Sequence, residues 1–388
     1  MKTAAVIMEC NPFHEGHAYI LERARKETGC DCLLVLMSGN YVQRGEPAVF
    51  SKQVRTRAVL EHGADLVLEL PLPYAAGSAE YFARGAVSLL NRLHADTLVF
   101  GSETGDEEML YRAARLLANE DTDFRKILQA ELRQGLSYPA ARAAALKSRG
   151  LEASAAAGPN DLLAAEYVRA ILEEKSPMRI LSVKRIPAKS ATEIRSKILE
   201  GRHGDLPASV SSQLQENASS LPASPDLFSG PLLHALWQAA GKEKELETYP
   251  DLSPDLANRL RALLPSYSSW SSFCSLIKTR NVTYTRISRC LLKILLDLKK
   301  EDVDRWIRAG WCGYAKVLGF RRESAAFLGL LEKEAGLPLI RKLSSPPDMD
   351  PVWTDLLERE LRADLLYHLA TEKERPVRSE YEQALIMI

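Results

Sequence analysis

No stretch of this sequence approaches the roughly 20 uninterrupted apolar residues that a membrane-spanning helix needs. Its first residues run directly into an apolar strand pattern, without a basic leader or cleavage site. A soluble, cytoplasmic protein with no membrane partner is therefore expected. Cysteine is also sparse. The six thiols, at positions 10, 30, 32, 274, 290 and 312, form no dense framework, so reduced side chains in or near the core are expected rather than disulfides. Cys30 and Cys32 stand too close for the usual zinc knuckle, and no metal site is assigned. Net charge is absent as well, because 51 basic and 51 acidic side chains cancel. Any nucleic-acid binding must then come from locally gathered cations. Neither an internal repeat nor a disorder signature is present. What remains is an ordinary globular composition, 46% apolar and 26% charged in 388 residues, ample for one large core or two moderate ones.

Within that plain background one run stands out, Glu9-Cys10-Asn11-Pro12-Phe13-His14-Glu15-Gly16-His17. It falls where an apolar strand, Thr3 to Met8, gives way to a helix starting near Gly16. Pro12 ends sheet pairing because it has no amide donor. Ala18, Leu21 and Ala24 then recur at helical spacing, with Glu22, Arg23, Arg25 and Lys26 elsewhere on the wheel. The first amides of a helix lack intrahelical acceptors and carry partial positive charge, so this turn suits an anion. His14 and His17, three apart, can both project towards it, and Gly16 permits close approach. Two other readings stand beside this one. The first is a simple strand-to-helix connection with surface histidines. The second is a zinc site on Cys10, His14 and His17, disfavoured because helical histidine pairs usually stand four apart and no second pair follows nearby.

Residues 1 to about 105 alternate short apolar strands with helices, as a doubly wound parallel sheet does. The strands are Thr3 to Met8, Cys32 to Met37, Leu66 to Leu70 and Thr97 to Phe100; the helices are Gly16 to Thr28, Lys52 to Glu61 and Glu80 to Leu93. Ligands in such sheets bind beyond the carboxyl ends of the strands. Four loops therefore share one rim: Asn11 to His17, Ser38 to Ser51, Pro71 to Ser78, and Gly101 to Asp106. Residues 106 to 176 read as mostly helical, with Asn160 a candidate N-cap for a helix reaching about Glu174. A strand follows over 180–185, and Ser190 with Glu193 fits a capping box. The Pro/Ser-rich stretch from Leu206 to Pro231 is the expected boundary, beyond which the pattern is helical to the end with no strand. Between Lys278 and Lys300 stand Lys278, Arg280, Arg286, Arg289, Lys293, Lys299 and Lys300, opposed only by Asp297. That segment is either a solvated helix face or a surface for RNA.

The segment His14-Glu15-Gly16-His17 resembles the H-x-G-H signature of the HIGH-type nucleotidyltransferases. Three further motifs extend the likeness: Met37-Ser38-Gly39-Asn40-Tyr41-Val42-Gln43-Arg44-Gly45-Glu46-Pro47-Ala48, then Phe100-Gly101-Ser102-Glu103, then Gly158-Pro159-Asn160-Asp161-Leu162-Leu163-Ala164. Together with Asn11 to His17 they are similar to the bacterial tRNA(Met) cytidine acetate ligase family. The similarity continues through Lys278 to Arg289 and Tyr314 to Phe320.

The resemblance implies a fold of class α/β: a Rossmann-like doubly wound parallel sheet in a catalytic domain over residues 1–205, a linker over 206–230, and an all-α tRNA-binding domain over 231–388. It implies an enzyme that uses ATP with Mg²⁺ to turn acetate into acetyl-adenylate, releasing pyrophosphate. The acetyl group then passes to N4 of the wobble cytidine of elongator tRNA(Met), forming N4-acetylcytidine and releasing AMP. No protein partner is implied. By the same resemblance His14 and His17 stabilise adenylyl transfer. The ATP site comprises Ile7, Met8, Glu9, Cys10, Asn11, Pro12, Phe13, His14, Glu15, Gly16, His17, Ala18, Tyr19, Ile20, Gly101, Asn160 and Arg185, and Ser190, Thr192 and Arg195 form a second phosphate motif. Candidate contacts to tRNA are Gln43, Arg44, Lys52, Lys278, Arg280, Arg286 and Arg289. One departure is visible: the family commonly carries a longer glycine-containing loop after Arg185, whereas Ile186-Pro187-Ala188-Lys189 runs almost directly into Ser190. Two rival functions are weighed. A small-molecule adenylyltransferase on the same fold leaves the helical C-terminal residues without purpose. A non-enzymatic RNA-binding protein leaves the joint presence of both histidines and the phosphate-type turns unexplained.

Overall fold

Short apolar runs become strands here because helices cover both faces of the sheet they enter. A computed structural model describes residues 1–151, 158–187, 189–202, 204–207, 210, 220–374 and 376–388. Its first elements are β1 (Thr3–Met8), α1 (Glu15–Thr28), β2 (Cys32–Ser38), β3 (Tyr41–Val42), β4 (Glu46–Pro47), α2 (Lys52–Glu61), β5 (Leu66–Leu70), α3 (Leu72–Ala75), α4 (Ala79–Arg92) and β6 (Thr97–Ser102). There follow α5 (Glu107–Ala118), α6 (Thr122–Arg133), α7 (Tyr138–Ser148), α8 (Pro159–Glu173), β7 (Arg179–Lys184) and α9 (Ala191–Leu199). The later part contains α10 (Ser229–Ala240), α11 (Pro254–Leu263), α12 (Trp270–Ile277), α13 (Tyr284–Leu295), α14 (Lys300–Arg308), β8 (Ala315–Phe320), α15 (Ala325–Glu334), β9 (Leu339–Ile340), α16 (Pro351–Thr371) and β10 (Ile386–Met387). Ala188, residues 152–157 of the expected helical stretch, and residues 208–209 and 211–219 of the expected linker lie outside the described residues.

The main sheet runs β10-β8-β5-β2-β1-β6-β7, with β9 beside β8. Every pairing within it is parallel except that of β5 with β8. Alternation along each strand divides the core between the two faces. Ala5, Ile7, Leu34, Leu36, Leu68 and Leu98 enter one apolar cluster, whereas Ala4, Val6, Met8, Leu33, Val35 and Val99 enter the other. The first cluster continues without a break into Trp270, Phe273, Ile287, Leu291 and Tyr367 of the helical half. All six cysteines are buried and unpaired, in keeping with reduced core thiols. Among the described residues no helix is long and apolar enough to cross a membrane.

The doubly wound α/β sheet is as expected, but the helical second half is not wholly helical. Residues Ala315–Phe320 form β8, antiparallel to β5, and β10 pairs with β8 in turn. Lys316 and Gly319 conceal this strand in the sequence by interrupting its apolar run. In the fold the Lys316 ammonium meets Glu69 at 3.0 Å and Glu380 at 3.3 Å, so its charge is compensated within the sheet. At Gly319 a Cβ would stand 2.7 Å from the carbonyl oxygen of Ile386, so a side chain there would push β10 away.

Candidate active site

The two histidines are fixed by the same turn that starts α1. His14 is the N-cap in extended conformation, and its ring Nδ1 accepts the amide of Gly16 at 3.1 Å. The amide of His14 donates to Nδ1 of His17 at 3.2 Å, closing a reciprocal cap in which imidazoles replace the usual hydroxyl and carboxylate. With Nδ1 of each ring accepting, the proton of each neutral imidazole is assigned to Nε2, so both rings are donors there. The rings lie 3.9 Å apart at 30°. Burial, aided by the Arg185 charge, brings His14 down to about 4, and burial with the neighbouring His14 and Arg185 brings His17 well below its ordinary value. Both are neutral at physiological pH. A Cβ on Gly16 would stand 2.9 Å from Cε1 of His14, so glycine is what lets the ring fold back over the turn.

Within the run from Ile7 to Ile20, side chains divide sharply by exposure. Ile7, Met8, Cys10, Phe13 and Asn11 are core, and Asn11 Oδ1 accepts the amide of Val49 at 2.8 Å. Phe13 packs on His17 and His62. From Glu15 to Ile20 every residue is exposed or half-buried, so the open side of the turn belongs to α1. The zinc alternative gains nothing: both Nδ1 atoms are taken by amides, and Cys10 is buried against Met8.

A second group closes the rim beyond β6 and β7. Arg185 donates to Oδ1 of Asn160 at 3.1 Å, and a Cβ on Gly101 would stand 3.0 Å from Ile20 and 3.4 Å from Arg185. Asn160 is not an N-cap as expected: Gly158 holds that position, and Asn160 lies inside the first turn of α8. Its backbone amide goes to Glu103, a charged acceptor brought over by β6, which removes the need for a capping side chain. Ser190 caps α9 by accepting the amide of Glu193 at 3.2 Å, but Glu193 turns to Lys197 rather than completing a box. Arg195 donates to the carbonyl of Asn11 at 2.7 Å and to the Thr192 hydroxyl at 3.1 Å. The first turn of α9 is thereby tied to the histidine loop.

The side chains expected at RNA part company. Lys52, expected at RNA, cannot reach it: it is 1% exposed and meets Glu380 at 2.8 Å, Glu69 at 3.1 Å and Asp364 more closely still. Asp364 stands 312 residues away in the chain, so local sequence gave no sign of it. Gln43 donates its amide to Glu9 at 2.5 Å, whereas Arg44 is exposed. Arg286 donates to the carbonyl of Asp251 at 2.9 Å, and Arg289 and Lys293 reach its carboxylate at 3.4 and 2.6 Å. Burial pushes Asp251 up, but Lys293 and Arg289 outweigh it and hold the acid at about 2. These cations face inward in part, and Lys278 and Arg280 remain exposed.

Two residues escaped the sequence reading. Arg55 is fully buried and donates to the carbonyls of Phe50, Glu9, Ser38 and Gly39, binding the ends of β1 and β2 together. Glu103 accepts from Asn160 and Asp161. Only the presence of Glu103 in a recognised motif marked it beforehand.

Residues 1–382 match the HIGH Nucleotidyl Transferase family. The tRNA(Met) cytidine acetate ligase of Bacillus subtilis is 34% identical over 404 residues, covering 98% of this chain and 95% of that protein. The protein of the same name from Caldicellulosiruptor saccharolyticus is 36% identical, covering 100% and 99%. Among solved structures, Thermotoga maritima TmcAL bound with alpha-thio ATP superposes with a TM-score of 0.90 at 30% identity, covering 100% of each chain. With these full-length similarities added to the histidine turn, the chain belongs to the tRNA(Met) cytidine acetate ligase family of HIGH nucleotidyl transferases.

Proposed function

We propose that this chain is an ATP-dependent ligase that makes acetyl-adenylate from acetate and acetylates N4 of the wobble cytidine of elongator tRNA(Met). The observation that carries the reading is the pair of neutral imidazoles 3.9 Å apart, each with Nδ1 held by a backbone amide and Nε2 left to donate. In the first step an acetate oxygen bonds to the α-phosphorus of ATP and the bond to pyrophosphate breaks. Negative charge grows on the departing phosphates, and prearranged donors stabilise it without reorganising. His14, His17, the first amides of α1, Arg185 and the turn of Ser190, Thr192 and Arg195 are those donors. Asn160 and Arg185 hold the nucleotide beside Gly101. Mg²⁺ would enter on the ATP phosphates, since the described residues offer no cluster of three or more ligating side chains.

In the second step the cytosine amine bonds to the acetyl carbon, the carbon–oxygen bond to AMP breaks, and the amine gives up a proton. A mixed anhydride is reactive enough that positioning and exclusion of water matter more than base strength. The base must leave the anticodon stack to reach it. Exposed Lys278 and Arg280 serve the tRNA phosphates, as does exposed Arg44 between β3 and β4. The protein works in the cytoplasm, beside these substrates, and needs no protein partner for the chemistry.

The test is acetate-dependent ATP–pyrophosphate exchange, followed by transfer of labelled acetate to tRNA(Met). Exchange and labelling are expected; lack of acetate-dependent exchange would overturn the reading. His17→Ala should lower exchange by about 10²–10³-fold with the thermal transition retained.

A further inference from the structure

Two motifs well separated in the chain lock each other. Glu103, at the end of β6, accepts three donors from the start of α8, 57 and 58 residues further on. Its Oε1 takes the Asn160 side-chain amide at 2.6 Å and the Asn160 backbone amide at 3.2 Å, while Oε2 takes the amide of Asp161 at 2.7 Å. Asp161 answers from the other side, where Oδ1 accepts the amide of Glu103 at 2.9 Å and the Ser102 hydroxyl. Space is as tight as the bonding: a Cβ on Gly158 would stand 2.7 Å from Cδ of Glu103. This arrangement exceeds what a helix start requires, since backbone amides alone would be satisfied by any acceptor.

The excess lies in the Asn160 side chain. An ionised carboxylate only accepts. Burial pushes Glu103 up, yet the donors from Asn160 and Asp161 outweigh it and keep the acid below the usual carboxylate range. Asn160 must therefore turn its NH₂ to Glu103, which leaves Oδ1 for Arg185 at 3.1 Å. The opposite amide orientation would set NH₂ against a guanidinium and an oxygen against a carboxylate. Arg185 is an exposed side chain, and this bond is what anchors it beside Gly101 and the histidines.

We propose that Glu103 is a positioning residue for ATP: it fixes the amide orientation of Asn160, and through Asn160 it holds Arg185 at the nucleotide. The inference rests on Asn160 and Arg185 belonging to the ATP site. Glu103 itself touches no substrate.

The experiment is calorimetric titration of ATP, without acetate or tRNA, into the full chain and its variants, with thermal transitions recorded alongside. Glu103→Gln should weaken ATP by about tenfold, since the neutral amide presents either a donor or an acceptor to Asn160. In an Asn160→Ala background the same change should have little further effect on affinity. Equal losses in both backgrounds would overturn the proposal, because a purely structural cap acts independently of the Asn160 side chain. Asn160→Asp alone should bind poorly, with carboxylate facing carboxylate. Adding Glu103→Gln should restore part of the affinity by rebuilding the side-chain pair in reverse, although the backbone amide at position 160, which shares Oε1, then loses its acceptor. The swapped pair carries the test even if Glu103→Gln alone does not fold, and a swap that binds no better than Asn160→Asp would overturn the proposal. Wild-type chain that binds no ATP would instead refute the proposed nucleotide site; wild-type binding matched by Glu103→Gln refutes only the role of Glu103.

Discussion

Lys52→Met isolates the buried ionic cluster between the sheet and the last long helix. Lys52 and Lys316 face Glu69, Asp364 and Glu380, with contacts of 2.8–3.5 Å and one shorter, and all five side chains are nearly inaccessible. Burial pushes Asp364 up to about 6, whereas for Glu380 the two ammonium groups outweigh burial and hold it far below the usual range. Methionine keeps most of the aliphatic volume and deletes the charge. Removing one partner of a buried pair costs about 3–5 kcal/mol, because the survivor is left uncompensated. Here one ammonium would serve three carboxylates, so a loss near the upper end, about 4–5 kcal/mol, is expected at about pH 7.5. In the variant the surplus carboxylates have folded pKa values above their unfolded ones, so they take up protons on folding. Their penalty is present at high pH and fades as pH falls through those folded values. The deficit relative to wild type should therefore shrink between about pH 7.5 and about pH 5.5. Urea unfolding followed by circular dichroism at both pH values measures it. A loss below about 1 kcal/mol, or a deficit independent of pH, would refute this account of the cluster.

Three further outcomes are expected. Because burial brings His14 from an unfolded value of about 6.5 to about 4, the unfolded chain binds the extra proton between those values, and stability falls with pH there. His14→Asn should remove about 2–3 kcal/mol of wild-type destabilisation at about pH 4.5 relative to about pH 7; a wild-type-minus-variant difference that stays flat contradicts it. Gly45 has φ +74°, and a Cβ there would stand 2.3 Å from the backbone nitrogen of Arg289, so Gly45→Ala should destabilise by about 3 kcal/mol in denaturant titration. Lys278→Ala with Arg280→Ala should weaken tRNA binding and reduce the slope of log affinity against log salt by about 1–2 without moving the thermal midpoint, and an unchanged slope would remove that surface from RNA binding.

The central strands were readable because their information is local. Thr3–Met8 and Cys32–Ser38 are apolar almost throughout, buried on both faces, and followed by Pro12 and Gly39. The histidine turn was readable for the same reason: cap, glycine and both rings lie within four residues. Features built from distant partners were not. Lys316 argues against a strand until Glu69 and Glu380 are beside it, and Lys52 reads as a surface cation until Asp364 arrives from α16. Asn160 looks like a cap because the acceptor that replaces a cap, Glu103, is supplied by another strand. In each case a polar residue was assigned to solvent or a terminus by default, and a charge remote in sequence moved it inside.

Strand β8 has a consequence for the order in which the protein is made. Its residues, 315–320, complete the sheet beside β5, whose own residues end at 70. On a ribosome adding about 5–20 residues per second, β5 waits on the order of tens of seconds with one edge unpaired, while Glu69 in that edge lacks the lysine from β8. Glu69 and Lys52, both made before β8, place charged side chains at that open edge, which discourages association with other nascent chains. The ion pair that is buried in the finished protein thus guards the edge during its synthesis.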